Sequence, residues 1–124
     1  MRKKILIVDD EPDFVQLLSI RLKSSGYDVI SASDGENGLK KAQEEKPDLV
    51  ILDVLMPKIN GFELCKRFKE NESTKDVPLI MLTALAQEHD LSKGLQEGVD
   101  CFITKPFNAV DLLQEIETAM QDKK

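Results

Sequence analysis

Residues 4–12 read Lys4-Ile-Leu-Ile-Val-Asp-Asp-Glu-Pro12, and residues 48–53 read Asp48-Leu-Val-Ile-Leu-Asp53. Each is a short apolar run that stops abruptly at carboxylates. Unbroken Val, Ile and Leu, without alternating polar residues, is the pattern of a strand buried on both faces, as central strands of a parallel sheet are. The runs Lys4–Val8 and Asp48–Leu52 are therefore expected in the middle of a sheet. Their common ending in Asp is the first sign of where its chemistry lies.

Three further runs, Tyr27–Ala32, Val77–Leu82 and Val99–Ile103, share this composition and have turn-rich flanks, which suggests strands. Helical patterns lie between the runs. Phe14, Leu17, Leu18 and Leu22 form one stripe, stopped by Gly26, and Leu39 with Ala42 mark a weaker helix after Asp34. Asn60 and Glu63 have the spacing of a capping box ahead of Leu64, Cys65 and Phe68, and Asn108 precedes a last stripe of Ala109, Leu113, Ile116 and Met120. The segment 86–97 fits poorly: it offers only Leu91 and Leu95 as apolar positions and holds Gly94, which costs about 1 kcal/mol relative to Ala in a helix. A fourth helix there is expected to be the weakest. Five alternations of strand and helix with short connections imply an α/β parallel sheet covered on both faces.

The 124 residues suit a single domain, 1–124, and 41% hydrophobic with 32% charged residues is an ordinary globular balance. No apolar run approaches the ~18 residues of a membrane span. Met1-Arg-Lys-Lys leads directly into a strand-like run rather than a signal core, so a cytoplasmic location is expected. Seventeen basic against twenty-three acidic residues give a net charge of −6, which disfavours nucleic acid as a partner. The pairs Lys40-Lys41 and Lys66-Arg67 read as solvated helix faces. Cys65 and Cys101 are too few and too far apart for a zinc site and read as reduced core residues.

In a parallel α/β sheet the strand carboxyl ends share one edge, and ligands bind there, at the crevice where the winding direction reverses. The first strand ends in Asp9-Asp10-Glu11, the third in Asp53, the fourth in Thr83 and the fifth in Thr104-Lys105-Pro106; the second delivers nothing comparable. Three carboxylates brought together repel one another unless a cation joins them. With no His or Cys in the set, the expected cation is a hard one, magnesium or manganese, and the spacing of a calcium-binding EF-hand is absent. Lys105 adds a second positive charge and Thr83 a donor, which suits a phosphoryl group. A lone carboxylate between metal and lysine can attack phosphorus, and Asp53 is the residue so placed. Any one Asp at a strand end is more often a cap or turn residue. The combination on four strands is what favours chemistry.

These residues in this order resemble the receiver domains of bacterial response regulators. The resemblance covers the whole chain. Its motifs are Ile5-Leu-Ile-Val-Asp-Asp-Glu-Pro12, Asp48-Leu-Val-Ile-Leu-Asp-Val-Leu-Met-Pro57 with Gly61, Pro78-Leu-Ile-Met-Leu-Thr-Ala84 and Phe102-Ile-Thr-Lys-Pro-Phe107. It implies a doubly wound, flavodoxin-like (βα)5 fold with strand order 2-1-3-4-5. Asp53 would accept a phosphoryl group from a phosphohistidine on a sensor kinase or phosphotransfer protein, or from acetyl phosphate. Asp10 and Asp53, with the backbone carbonyl of Leu55, would bind Mg2+ directly and Asp9 through water. Lys105 would hold a phosphate oxygen, with a cis bond to Pro106. Thr83 and Phe102 would form the switch that remodels the face of the fourth helix, fifth strand and fifth helix.

The resemblance further implies a downstream protein target or an output domain, a dimer formed on phosphorylation as one option, and no independent substrate turnover. Leu55 and Leu85 stand where some fast-hydrolysing relatives carry polar residues, which points to a long-lived phosphorylated state. Two other readings compete. A flavodoxin-like cofactor carrier would need a phosphate loop where Asp9, Asp10 and Glu11 stand. An aspartyl-phosphate phosphohydrolase usually carries alternating acids and a cap.

Overall fold

The computed structural model describes residues 3–53, 61–83, 101–104 and 109–121. The strands are β1 (Lys4–Val8), β2 (Asp28–Ala32), β3 (Leu49–Asp53), β4 (Leu79–Thr83) and β5 (Cys101–Thr104). The described helices are α1 (Pro12–Ser24), α2 (Gly35–Glu45), α3 (Gly61–Glu70) and α4 (Ala109–Gln121). All strand pairs are parallel, and the sheet order is β2-β1-β3-β4-β5. Segment 86–97, the expected weakest helix, and the Asn60 and Asn108 caps lie outside the described residues.

Successive strand residues point to opposite faces, so the apolar runs split into two cores. Leu6, Val8, Val50, Leu52, Leu79 and Met81 pack with Ala42 of α2 and with Leu64, Cys65 and Phe68 of α3. On the other face, Ile5, Ile7, Leu49, Ile51, Ile80 and Leu82 pack with Leu18 and Leu22 of α1 and with Leu112, Ile116 and Ala119 of α4. Each fully buried Leu, Ile or Phe contributes roughly 1.5–3 kcal/mol. The buried Cys65 is a core residue, as the sequence suggests.

β1 runs over the expected residues, and the other strands shift by one or two positions. Tyr27 N–H donates to Leu22 O (3.1 Å) and Gly26 N–H to Lys23 O (3.1 Å), the paired bonds of a Schellman ending to α1. Gly26 supplies the required left-handed conformation at φ +98°. Asp48 stays outside β3 and clasps β1: its N–H donates to Lys4 O (2.7 Å), and its Oδ2 accepts from Lys4 N (2.8 Å).

The stripe expected on α1 is rotated. Leu17 is 70% exposed, while Leu18 and Leu22 are buried and Phe14 and Val15 half-buried. At about 100° per residue, Phe14, Leu18 and Leu22 share a sector that Leu17 misses. In α4 the buried set is Leu112, Ile116 and Ala119, with Leu113 and Met120 partly buried, so the expected stripe was displaced by one position in part. α2 forms as expected, with Asp34 Oδ1 capping Asn37 N–H (2.8 Å). It seats closely on β1: a Cβ on Gly38 would come within 2.8 Å of Val8 Cγ2.

Candidate functional site

The β1–β3 register pairs Val8 with Leu52, so the next residues along the two strands are Asp9 and Asp53. This crevice is where the winding reverses, since the chain leaves β1 toward β2 on one side and returns at β3 on the other. Both carboxylates stand at the carboxyl ends of interior strands of the sheet. Asp9 is 3% exposed and Asp53 7%, whereas Asp10 is exposed.

Local hydrogen bonds set the turn after β1. Asp9 N–H donates to Ala32 O (3.1 Å), extending the β1–β2 ladder by one residue. Asp9 Oδ1 accepts from Glu11 N–H (3.0 Å), an Asx turn that reverses the chain into α1 with Pro12 at the first helical position. Sequence reasoning did not assign Glu11 this backbone role, although Asp three residues before a Pro that opens a helix is the signal for it. The β2 end also contributes: Ser31 and Ser33 join Asp9, Asp10, Gln16 and Ser19 around a groove of about 440 Å³. The second strand supplies no member of the carboxylate cluster, and its serines line only the neighbouring groove.

One ligand atom from each of Asp9, Asp10 and Asp53 can be chosen so that all lie within 4.8 Å of one another. Three like charges at that spacing repel one another, and a hard dication relieves the repulsion. Asp9 Oδ2 is buried and receives no hydrogen bond from the described residues. An all-oxygen donor set with a buried carboxylate fits magnesium or manganese and not a soft metal.

Thr83 ends β4, pairs with Thr104 and stands one residue beyond Leu82, the partner of Asp53. Its backbone is thus at the same edge as the carboxylates. Phe102 lies in β5 opposite Met81. Lys105 and the Leu55 carbonyl, and with them Pro106 and Leu85, lie outside the described residues. Among the described residues no helix is long and apolar enough to cross a membrane.

Comparison with known proteins agrees with this arrangement. The alkaline phosphatase synthesis transcriptional regulatory protein PhoP of Bacillus subtilis (strain 168) is 47% identical over 121 residues, covering 98% of this chain and 50% of that protein. The chain spans about half the length of the curated relatives it matches. Among solved structures, a CheY-like response regulator receiver domain protein from Methanospirillum hungatei JF-1 superposes with a TM-score of 0.93 at 30% identity, covering 99% of this chain and 97% of that one. The receiver domain of the sensor histidine kinase PA1611 from Pseudomonas aeruginosa PAO1, described with a magnesium ion coordinated in its active-site cleft, gives a TM-score of 0.89 at 27% identity over 98% of this chain and 99% of that one. The family model described as the response regulator receiver domain matches residues 5–117. With a buried Asp pair at the switch point of a 2-1-3-4-5 sheet and a family match over nearly its whole length, the chain belongs to the response regulator receiver domains.

Proposed function

We propose that residues 1–124 form one phosphoacceptor unit in which Asp53 takes a phosphoryl group from a phosphohistidine of a kinase or phosphotransfer protein. The observation that carries this reading is the meeting of Asp53, at the carboxyl end of the central strand, with Asp9 and Asp10 inside 4.8 Å. An Asp53 carboxylate oxygen attacks the phosphorus. The P–N bond breaks, and its electron pair goes to the imidazole nitrogen, which takes up a proton from solvent. The product is an acyl phosphate on Asp53 and a neutral histidine.

Asp10, Asp53 and the Leu55 carbonyl would hold Mg2+, with Asp9 acting through water and Mn2+ as a substitute. Bound metal supplies neutralisation of the charge that develops on the phosphoryl oxygens. Asp9, tied by Glu11 N–H, keeps the cluster in place. Lys105 would hold a phosphate oxygen. Thr83 would donate to another, drawing Phe102 inward behind it and altering the surface that a target, an output domain or a second copy reads. The chain would work on its own carboxylate in the cytoplasm without turning over a free substrate.

Acetyl phosphate with magnesium should add one phosphoryl group that hydroxylamine removes, as it does from acyl phosphates and not from phosphoserine. Asp53→Asn should abolish it. A label that survives in that variant would move the nucleophile elsewhere.

A further inference from the structure

The exposed large apolar side chains among the described residues are Leu17 (70%), Ile20 (56%) and Val110 (70%). Scattered singly, such residues need no explanation. These are gathered. Leu17 and Ile20 are three apart on the exposed side of α1, and Val110 stands one turn before Leu113 of α4. Between the two helices runs a groove of about 310 Å³, walled by Leu17, Leu18 and Arg21 on one side and by Leu112 and Leu113 on the other. Among the described residues its lining holds one charge, Arg21.

The charges on this face are arranged about Leu17. Asp13, Leu17 and Arg21 are spaced four apart, so they form one ridge of α1, and all three are exposed. At 1.5 Å per residue the acid lies ~6 Å to one side of the leucine and the base ~6 Å to the other. Among the described residues neither charge is held in an ion pair. A ridge ordered acid, leucine, base is its own complement when reversed. Two copies of α1 crossing antiparallel at Leu17 would set leucine against leucine and each Asp13 opposite the Arg21 of the other copy. Ridges of this i±4 kind interdigitate at about 50°, the commonest helix packing. A two-fold contact asks a surface to complement itself in this way. Two chains of net charge −6 repel at long range, and the matched pairs oppose that repulsion where the copies touch.

We propose that the α1–α4 face is a self-association surface, on which two copies of this chain pair about a two-fold axis at Leu17. Ile20 and Val110 flank the crossing and leave water with it. α1 has 13 residues and is about 20 Å long, and packed helices lie ~8–10 Å apart, so the face offers less than the ~800 Å² per partner of a standard interface. The dimer is therefore weak, half formed between ~10 μM and ~1 mM. It requires no phosphoryl group on Asp53 and does not depend on the phosphoacceptor reading.

The test is sedimentation equilibrium of the whole chain from ~10 μM to ~1 mM, with no phosphoryl donor present. The weight-average mass should climb from 14.0 kDa toward twice that value. Leu17→Asp puts like charges on the axis and should hold the chain at the monomer mass throughout. Asp13→Arg alone and Arg21→Asp alone each set like charges opposite one another at two places, and each should weaken pairing roughly tenfold. Asp13→Arg combined with Arg21→Asp restores the opposition in reverse and should regain most of the affinity. An equimolar mixture of the two single variants should pair better than either alone, because one then carries only bases on the ridge and the other only acids. All three positions are exposed, so the fold is retained, which far-UV circular dichroism checks. A parent chain that is still monomeric at ~1 mM overturns the proposal and leaves this face to a different partner. A dimer indifferent to Leu17→Asp, or single reversals that neither the double variant nor the mixture rescues, overturns it as well.

Discussion

Replacing Asp10 by Asn removes one charge from the carboxylate cluster while leaving the two buried members in place. The ligand atoms of Asp9, Asp10 and Asp53 lie within 4.8 Å of one another. Two unit charges at such a distance repel by about 3.5 kcal/mol at an effective dielectric of about 20 and by about 0.9 kcal/mol in bulk water. Asp10 is exposed, so the lower figure governs its interactions with Asp9 and Asp53. Asp10→Asn should therefore stabilise the metal-free protein by about 1–2 kcal/mol. With magnesium the sign reverses. A ligand that binds only the folded state adds ~2.7 kcal/mol at a hundredfold excess over its Kd, and the variant forfeits most of that increment. Urea unfolding followed by far-UV circular dichroism, with and without magnesium at fixed ionic strength, reads both effects. With a slope of ~1–3 kcal/mol per molar urea, the metal-free midpoint should rise by roughly 0.3–2 M. A midpoint that stays level or falls, together with an undiminished response to magnesium, refutes electrostatic crowding as the basis of the site.

Thr74 is 1% exposed and its hydroxyl donates to Phe68 O at 2.7 Å, satisfying one of the last carbonyls of α3, so Thr74→Val should lower the unfolding free energy by about 1–2 kcal/mol in the same urea assay. Tyr27, the one tyrosine in a chain without tryptophan, has its pKa raised above 10.0 by burial first and by the Glu117 charge second. Absorbance titration should show a lower pKa in Glu117→Gln that still exceeds 10.0, because burial remains. The folded state binds the Tyr27 proton more tightly than the unfolded one, so its contribution to stability is complete below pH ~10 and is lost as pH rises through the folded pKa. If Leu55 and Leu85 exclude the attacking water, Leu55→Asn with Leu85→Glu should speed loss of the phosphoryl group without preventing its gain, as mass spectrometry of the decaying species would show. A double variant that decays no faster than the parent would mean the leucines are not the brake.

The alternation of apolar runs and helical stripes was legible because each depends on local chemistry: Val, Ile and Leu in unbroken runs, Gly26 ending α1, Asp34 capping α2. Stripe positions were less legible. Phe14, Leu17, Leu18 and Leu22 are all apolar at helical spacing, yet the helix can bury only the sector that faces Ile5 and Ile7, and that leaves Leu17 out. Ala119 carries too little hydrophobicity to announce itself, and its burial follows from where α4 crosses the sheet.

By itself the sequence determined that carboxylates end the two most apolar runs and that a hydroxyl and an ammonium follow later runs, since residue type and order are properties of the chain. Only the tertiary structure decided that Asp9 and Asp53 are neighbours, because that rests on β1 pairing in register with β3, 44 residues away, rather than with β2 alone. It also made Asp9 buried and Asp10 exposed, although both are aspartates side by side in the sequence. The physical reason is where the strand stops. Asp9, just past Val8, still extends the ladder through its N–H on Ala32 O, whereas Asp10 lies in the bend where the chain leaves the sheet for α1.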